Sequence, residues 1–165
     1  MTEREGAVMT MTEKGVTAVQ YAEDLTVGDV IELGSHTIEE SELLDFATAW
    51  DPQDFHVDAA IAEKGYFGGL IASGVHSIAV LQRLSVLGAY RNLSVIGGRS
   101  LRDVQFRRPV RPGDTVTGTM RVDGVVLDDR GRGLVTSTGH LRDPEGNVVL
   151  EMVTEAYVRR RPAAG

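Results

Sequence analysis

The order of apolar and polar positions divides the chain into a mostly helical first half and a strand-rich second half. Residues 30 to 35 alternate in the manner of a strand. Residues 75 to 90 are apolar around most of a helical circumference, which is typical of a helix buried on all sides. Further strands are expected at about 100 to 107, 115 to 123, 133 to 142 and 147 to 159, separated by turn sequences. The pattern predicts an α+β domain in which a long apolar helix lies against a curved antiparallel sheet.

A shorter helix is predicted between the first strand and the long helix. Apolar residues recur near helical spacing over about 38 to 50, so we expect one apolar stripe, including Trp50, to pack on the core. Thr37 and Glu40 have the Thr-x-x-Glu spacing of a capping box at its start. Pro52 is expected to end the helix, because the residue before a proline is pushed out of the α region.

Composition and charge narrow the class of protein. A chain of 165 residues, 42% hydrophobic and 25% charged, is within the usual range for one globular domain. The absence of cysteine excludes disulfides, thiolate metal sites and a thiol nucleophile. A formal net charge of −7 argues against binding to nucleic acid or anionic lipid, which is driven chiefly by Lys and Arg. No apolar run has the length needed to span a bilayer, so we expect neither nucleic acid nor membrane as a partner.

The N-terminal segment differs in pattern from the rest of the chain. Residues 1 to 20 show no helical or strand periodicity and no continuous apolar segment like that of a signal peptide. We therefore expect a flexible, dispensable leader over residues 1 to 20, then a single domain over residues 21 to 161. A cytoplasmic protein is expected.

The stretch DPQDFHVD, residues 51 to 58, places three carboxylates and one imidazole directly after the shorter helix. Taken alone, these residues have structural interpretations. Asp51 can terminate a helix, His56 can be a hydrogen-bonded core histidine, and Asp58 suits the N-cap of the helix predicted over AAIAEK. The alternative interpretation is acid/base chemistry by Asp51 and His56 at the rim of the core.

Three ordered motifs favour the acid/base interpretation for Asp51 and His56. Together they resemble the MaoC-like hydratase/dehydratase family, over roughly residues 21 to 161. The first motif contains Asp51, His56 and Asp58, the second Phe67, Gly68, Ile71 and Gly74, and the third Phe106, Pro109, Val110, Gly113 and Asp114. The resemblance implies a hot-dog fold, in which a curved antiparallel sheet wraps around a long central helix. It also implies a homodimer or a higher homo-oligomer, joined through open sheet edges.

The same resemblance implies a lyase that reversibly hydrates a trans-2-enoyl-CoA to a 3-hydroxyacyl thioester. Asp51 and His56 would hold and activate one water molecule, and the backbone N–H near Gly74 would stabilise charge on the thioester oxygen. No separate cofactor is implied, since coenzyme A enters as part of the substrate. The metal site conceivable from Asp51, His56, Asp58 and His76 matches no zinc or iron spacing, and we expect none.

Substrate contacts are expected in the later motifs. They are Phe67, Gly68, Ile71, His76, Arg108 and Arg111. The two arginines would bind coenzyme A phosphates through their planar forks, or they form ordinary solvated surface. His76 would line an acyl tunnel, or it is a satisfied buried histidine.

The sequence also departs from the family pattern. Gln53 and Asp54 replace an Asn-Pro pair, and the added carboxylate of Asp54 is expected to raise the pKa of Asp51. Ser73 stands where hydratases often carry histidine, and Gln82 stands where they place a supporting serine. Two other functions therefore stay open: a hot-dog thioesterase, although residues 75 to 90 contain no carboxylate to activate water, and a non-catalytic acyl-CoA-binding subunit.

Overall fold

In the computed structural model, which describes residues 18–165, one five-stranded sheet packs against a 15-residue helix. The strands are β1 (Val30–Thr37), β2 (Val95–Phe106), β3 (Thr115–Leu127), β4 (Arg132–Arg142) and β5 (Val148–Arg159). The helices are α1 (Glu40–Trp50), α2 (Asp54–Val57), α3 (Ala59–Lys64) and α4 (Gly74–Gly88), with 3₁₀ turns at Ala22–Asp24 and Tyr90–Asn92.

The sheet has the order β1-β3-β4-β5-β2, and every neighbouring pair of strands is antiparallel. β1 and β2 are therefore the two edges. The predicted α+β class and the predicted central helix, α4, are both confirmed. The prediction of a leader over residues 1 to 20 lies almost wholly outside the described residues, although Gln20 forms a parallel bridge with Leu93.

The main core lies between α4, α1 and the inner face of the sheet. Alternation along β5 puts Leu150, Met152, Ala156 and Val158 on the buried face, as predicted, while Glu151 and Glu155 point away from it. The largest fully buried side chains include Ile38, Leu43, Leu81, Leu141 and Leu150. At about 25 cal/mol per Å² of apolar area removed from water, such burial is the main favourable term in folding.

Close packing between α4 and the sheet depends on a glycine at the end of the helix. A Cβ added to Gly88 would lie 2.7 Å from the Cα of Leu33 in β1, which is closer than van der Waals contact allows. Because the obstacle is backbone, neither partner can rotate away. The small residue lets the C-terminal turn of α4 lie directly on β1.

The prediction that α4 is buried on all sides is wrong. Val75, Val86 and Leu87 are exposed, while Val80, Leu81 and Leu84 are buried. The reason is that the sheet and α1 cover only part of the helix circumference in this chain. Among residues 18–165, no helix is both long and apolar enough to cross a bilayer.

Two predictions about α1 are also wrong. The predicted capping box does not form, because Thr37 belongs to β1 and its hydroxyl pairs with that of Thr115 at 2.7 Å. The N-cap of α1 is Glu39, whose side chain makes no cap bond. Trp50 is 74% exposed rather than part of the buried stripe. The end of α1 at Trp50, ahead of Pro52, is as expected.

A carboxylate ties α1 to its two neighbours. Glu42 of α1 accepts hydrogen bonds from His36 of β1, at 2.9 Å to Oε2, and from His76 of α4, at 2.8 Å to Oε1. The His76 ring is buried and stacks on Phe46 with ring centroids 4.5 Å apart. Partial burial raises the pKa of the Glu42 carboxyl, but the hydrogen bonds from the two histidines outweigh it, so the net shift is downward.

Replacing Glu42 with Ala is expected to lower the free energy of unfolding by about 1 to 3 kcal/mol, because the buried Nε2 of His76 loses its partner. Glu42→Gln keeps an acceptor oxygen and should cost less. Since folding lowers the pKa of Glu42, its ionised form stabilises the protein above the unfolded carboxyl pKa, and this contribution is lost as the pH falls through the folded value.

Urea denaturation of the wild type and Glu42→Gln, at about pH 7 and about pH 3, measures this pH dependence. The difference between the two proteins should be larger at the higher pH. An equal difference at both values would contradict the assigned role of the carboxylate charge.

Candidate active site

Several segments that are distant in the sequence line one cavity of about 400 Å³. They include the chain just after α1, the short helix α2, the segment between α3 and α4, the N-terminus of α4, and the end of β2 with the chain that follows it; β5 contributes Val149. The lining is mainly apolar and includes Phe55, Phe67, Ile71 and Val110. Asp51 and His56 contribute a carboxylate and an imidazole to it. A mostly apolar cavity with a few convergent polar groups is typical of a small-molecule site.

Asp51 is held by two side-chain donors. Its backbone N–H closes the last turn of α1 on the carbonyl of Ala47, at 2.8 Å. The Ser73 hydroxyl donates to Oδ2 at 2.6 Å, and the Gln53 amide donates to Oδ1 at 2.9 Å. The hydrogen bond from Ser73, followed by that from Gln53, lowers the pKa of Asp51. The predicted rise caused by Asp54 is therefore wrong, because hydrogen bonds to the ionised form dominate.

His56 is buried, with 4% of its surface exposed, and its tautomer follows from its partner. Nδ1 lies 2.7 Å from the carbonyl oxygen of Ile71. A carbonyl can only accept, so Nδ1 carries the hydrogen, and in the neutral ring Nε2 carries the lone pair. Nε2 lies 3.5 Å from Oδ2 of Asp51. The structure thus brings the two residues together at the cavity, with a basic nitrogen and a carboxylate oxygen facing each other.

Gly74 begins α4 directly after its cap residue, Ser73, and lies under the ring of Phe106. A Cβ at Gly74 would come within 2.7 Å of the Phe106 ring atoms Cε1 and Cζ. The glycine therefore has a steric function that needs no catalytic role. The N–H groups of the first helical turn lack intrahelical partners, so a donor role at Gly74 is also open.

We expect Gly74→Ala to lower kcat/KM by about tenfold for the enoyl thioester that the resemblance implies, because the displaced Phe106 ring lines the same cavity. In a Phe106→Ala background the same substitution should have little further effect, since alanine keeps the backbone N–H. Steady-state kinetics of the two single variants and the double variant measure this. An equal loss in both backgrounds would show that the steric explanation is wrong.

The remaining predicted contact residues divide into two groups. Phe67, Ile71 and Arg108 line the cavity. The other three, Gly68, Arg111 and His76, lie outside the lining. Gly68 forms a turn with φ of 65°. The Arg111 guanidinium donates to the carbonyl of Phe67, and His76 pairs with Glu42. Asp58 is the N-cap of α3, as expected, and accepts from the N–H of Ile61 at 3.0 Å.

Sequence reasoning did not assign Ser73 and Gln53 to the site, although it marked both as departures from a pattern. Ser73 had a local signal, because it directly precedes an apolar helix and serine is a preferred N-cap. No local signal connects it with Asp51, which is 22 positions away. Ser77 also lines the cavity and was not assigned.

Over residues 18–165, no group of three or more His, Cys, Asp or Glu side chains has the geometry of a metal site. The Asp51–His56 pair is flanked by Ser73 and Gln53, which are hydrogen-bond donors to the carboxylate. The arrangement suits proton transfer rather than metal ligation.

Comparison with known proteins gives one consistent family. The model of the MaoC like domain matches residues 19–141. The 3-hydroxyacyl-thioester dehydratase Z of Mycobacterium tuberculosis is 34% identical over 126 residues, or 74% of this chain and 82% of that protein. An (R)-specific enoyl-CoA hydratase of Rhodospirillum rubrum is 34% identical over 119 residues, or 68% of this chain and 76% of that protein.

A shorter match is to the uncharacterized protein YdeM of Bacillus subtilis, 33% identical over 92 residues, or 56% of this chain. The matched region spans 65% of YdeM, just under two thirds of the length of that protein. Among solved structures, the MaoC-like dehydratase of Rhodospirillum rubrum superposes with a TM-score of 0.76 at 32% identity, over 87% of this chain and 99% of that chain. The expected hot-dog fold is confirmed.

Proposed function

The chain belongs to the family of MaoC-like dehydratase domains, and from this premise we propose that it reversibly hydrates a trans-2-enoyl-CoA to a 3-hydroxyacyl thioester. The observation that carries the proposal is the 3.5 Å approach of His56 Nε2 to Asp51 Oδ2 at the cavity. The relatives named as a dehydratase and as an enoyl-CoA hydratase support the same chemistry.

The two side chains act on one water molecule. Nε2 of neutral His56 accepts a proton from the water as its oxygen bonds to the β-carbon of the enoyl thioester. The ionised carboxylate of Asp51 accepts the second water hydrogen in a hydrogen bond and stabilises the imidazolium that forms. The imidazolium then returns the proton to the α-carbon, so the elements of water add across the double bond. Dehydration follows the same steps in reverse.

During addition, negative charge moves to the thioester oxygen. The N-terminus of α4 stabilises that charge, because its N–H groups and the helix dipole favour an anion. The apolar lining holds the acyl chain, and Arg108 at the cavity binds a phosphate of coenzyme A. Arg111 has a structural role in this proposal, since its guanidinium is engaged by the carbonyl of Phe67.

The proposal is tested with purified protein and enoyl-CoA substrates of graded chain length. Loss of the conjugated thioester absorbance reports hydration, and release of free thiol is followed separately. Hydration without thiol release is the expected result. Thiol release without hydration would favour a thioesterase, and tight acyl-CoA binding with neither reaction would favour a non-catalytic subunit.

A second copy of this chain is the proposed partner at the β2 edge. This edge strand exposes Ile96, Leu101 and Phe106, and Phe106 also lines the cavity. An unpaired edge with apolar side chains favours pairing with another strand. Sedimentation equilibrium should give a mass of two chains or more, and Leu101→Lys should shift the protein toward monomer. A monomeric wild type would refute this proposal.

A further inference from the structure

The hydroxyl of Ser73 is held by two neighbours that together fix its direction. The backbone N–H of Val75 donates to Ser73 Oγ at 3.2 Å, as in a helix N-cap. An N–H cannot accept, so the proton of the hydroxyl is directed to Asp51 Oδ2, 2.6 Å away. Ser73 is 0% exposed, so its side chain does not reach a substrate in the cavity. Any effect of Ser73 on the reaction must therefore act through the groups that it contacts, the carboxylate of Asp51 and the first turn of α4.

We propose that Ser73 is a positioning residue, whose hydroxyl holds the carboxylate of Asp51 in the orientation that faces His56. The inference rests on the proposed function and assigns a role to a position where the sequence departs from the hydratase pattern. Gln53 supplies the second restraint, at Oδ1, from a side chain that is exposed and lines the cavity. Of the two donors, only Ser73 is fully shielded from water, so its hydrogen bond is the one that water cannot replace.

The geometry also links the carboxylate to α4. The Ser73 hydroxyl bonds both the Val75 N–H in the first turn of the helix and Asp51, so it ties the carboxylate to the end of α4 that begins at Gly74. In the proposed reaction both groups must act on the same substrate molecule. The carboxylate positions water at the β-carbon, while the N-terminus of the helix binds the thioester oxygen. Loss of the hydroxyl should therefore lower kcat more than it changes KM.

The same hydrogen bond has a pH-dependent consequence. It is the first cause that lowers the pKa of Asp51, and it thereby keeps the carboxylate ionised to lower pH. The active form of the proposed enzyme is the ionised one, so activity falls as the pH falls through this pKa. Without the hydroxyl the pKa rises, and the acid limb of the pH–rate profile should move to higher pH.

The test uses Ser73→Gly, because glycine is nearly as good an N-cap as serine but lacks the CH₂OH side chain that bonds Asp51. Ser85→Ala is the matched control, since Ser85 is also buried in α4 and its hydroxyl bonds the Leu81 carbonyl at 2.8 Å, with no contact to Asp51. We expect kcat of Ser73→Gly to fall about tenfold, KM to change less than about twofold, and the acid limb to move upward. Ser85→Ala should leave all three unchanged.

Wild-type values of kcat and the acid limb in Ser73→Gly would overturn the inference, as would equal effects in Ser85→Ala. Ser73→Ala gives the same comparison if the glycine variant does not fold. A carbon-13 NMR titration of the Asp51 carboxyl in the free protein provides a readout that does not require turnover. Its midpoint should be higher in the variant than in the wild type. If the wild type shows no hydration, the proposed function fails. The action of Ser73 on Asp51 is rejected separately, if the titration midpoints of the wild type and the variant are equal.

Discussion

Asp51→Asn is expected to lower kcat/KM for enoyl-thioester hydration by about 10²- to 10⁴-fold, the usual contribution of a general acid/base group. Asparagine keeps the size of the side chain and can still accept from Ser73 Oγ, but it cannot carry the charge that stabilises an imidazolium at His56. Initial rates of absorbance loss measure the effect.

The control for this prediction is Asp58→Asn, seven positions along the chain. Asp58 caps α3 and lies outside the cavity lining, and asparagine is as good an N-cap as aspartate. Its activity and unfolding free energy should stay near wild type. Because the Asp51 side chain is only partly buried, Asp51→Asn should also fold normally. Near-wild-type turnover by folded Asp51→Asn would exclude the carboxylate from the reaction.

The sequence pattern predicted the architecture because hydrophobic periodicity is a local property. The strand alternation of β5 and the apolar run of α4 were readable in the chain, and both elements formed as expected. Periodicity does not say how much partner surface will cover an element. That is why Trp50 and Val86 are exposed although each belongs to an apolar pattern. The capping box failed for a related reason, because a sheet contact of Thr37 competes with the helix cap.

The pairing of Asp51 and His56 at one site was predictable, but the contacts around them were not. Motif resemblance indicated Asp51 and His56, and the fold brings them together. The contacts that define their chemistry join distant positions: Ser73 with Asp51 across 22 residues, and His56 with Ile71 across 15. No local pattern encodes such pairs. The pKa of Asp51 was expected to rise because the nearby Asp54 is visible in the sequence. It is lowered instead, because Ser73, from another segment, donates a hydrogen bond to the carboxylate.

His56→Asn is the second substitution with a large expected effect on activity. The Asn amide nitrogen occupies nearly the position of imidazole Nδ1, so it can still donate to the buried carbonyl of Ile71. The basic Nε2, which faces Asp51, is lost. We therefore expect kcat/KM to fall about 10²- to 10⁴-fold. The smaller side chain should lower the free energy of unfolding by about 1 to 3 kcal/mol, measured by urea denaturation.

The matched control is His36→Asn, a histidine-to-asparagine change in β1 that breaks only the contact with Glu42. It should keep full activity, so a comparable loss there would assign the effect of His56→Asn to general destabilisation.

The double variant Asp51→Asn/His56→Asn tests whether the two groups act on a single water molecule. If one proton relay needs both, the first substitution already disables it, and the second adds little, as for catalytic groups that act as a unit. The free-energy losses of independent groups would add instead. We expect kcat/KM of the double variant to lie within about threefold of that of the less active single variant. A fully multiplicative loss would mean that Asp51 and His56 act in separate steps, and the shared water suggested by their 3.5 Å approach would have to be abandoned.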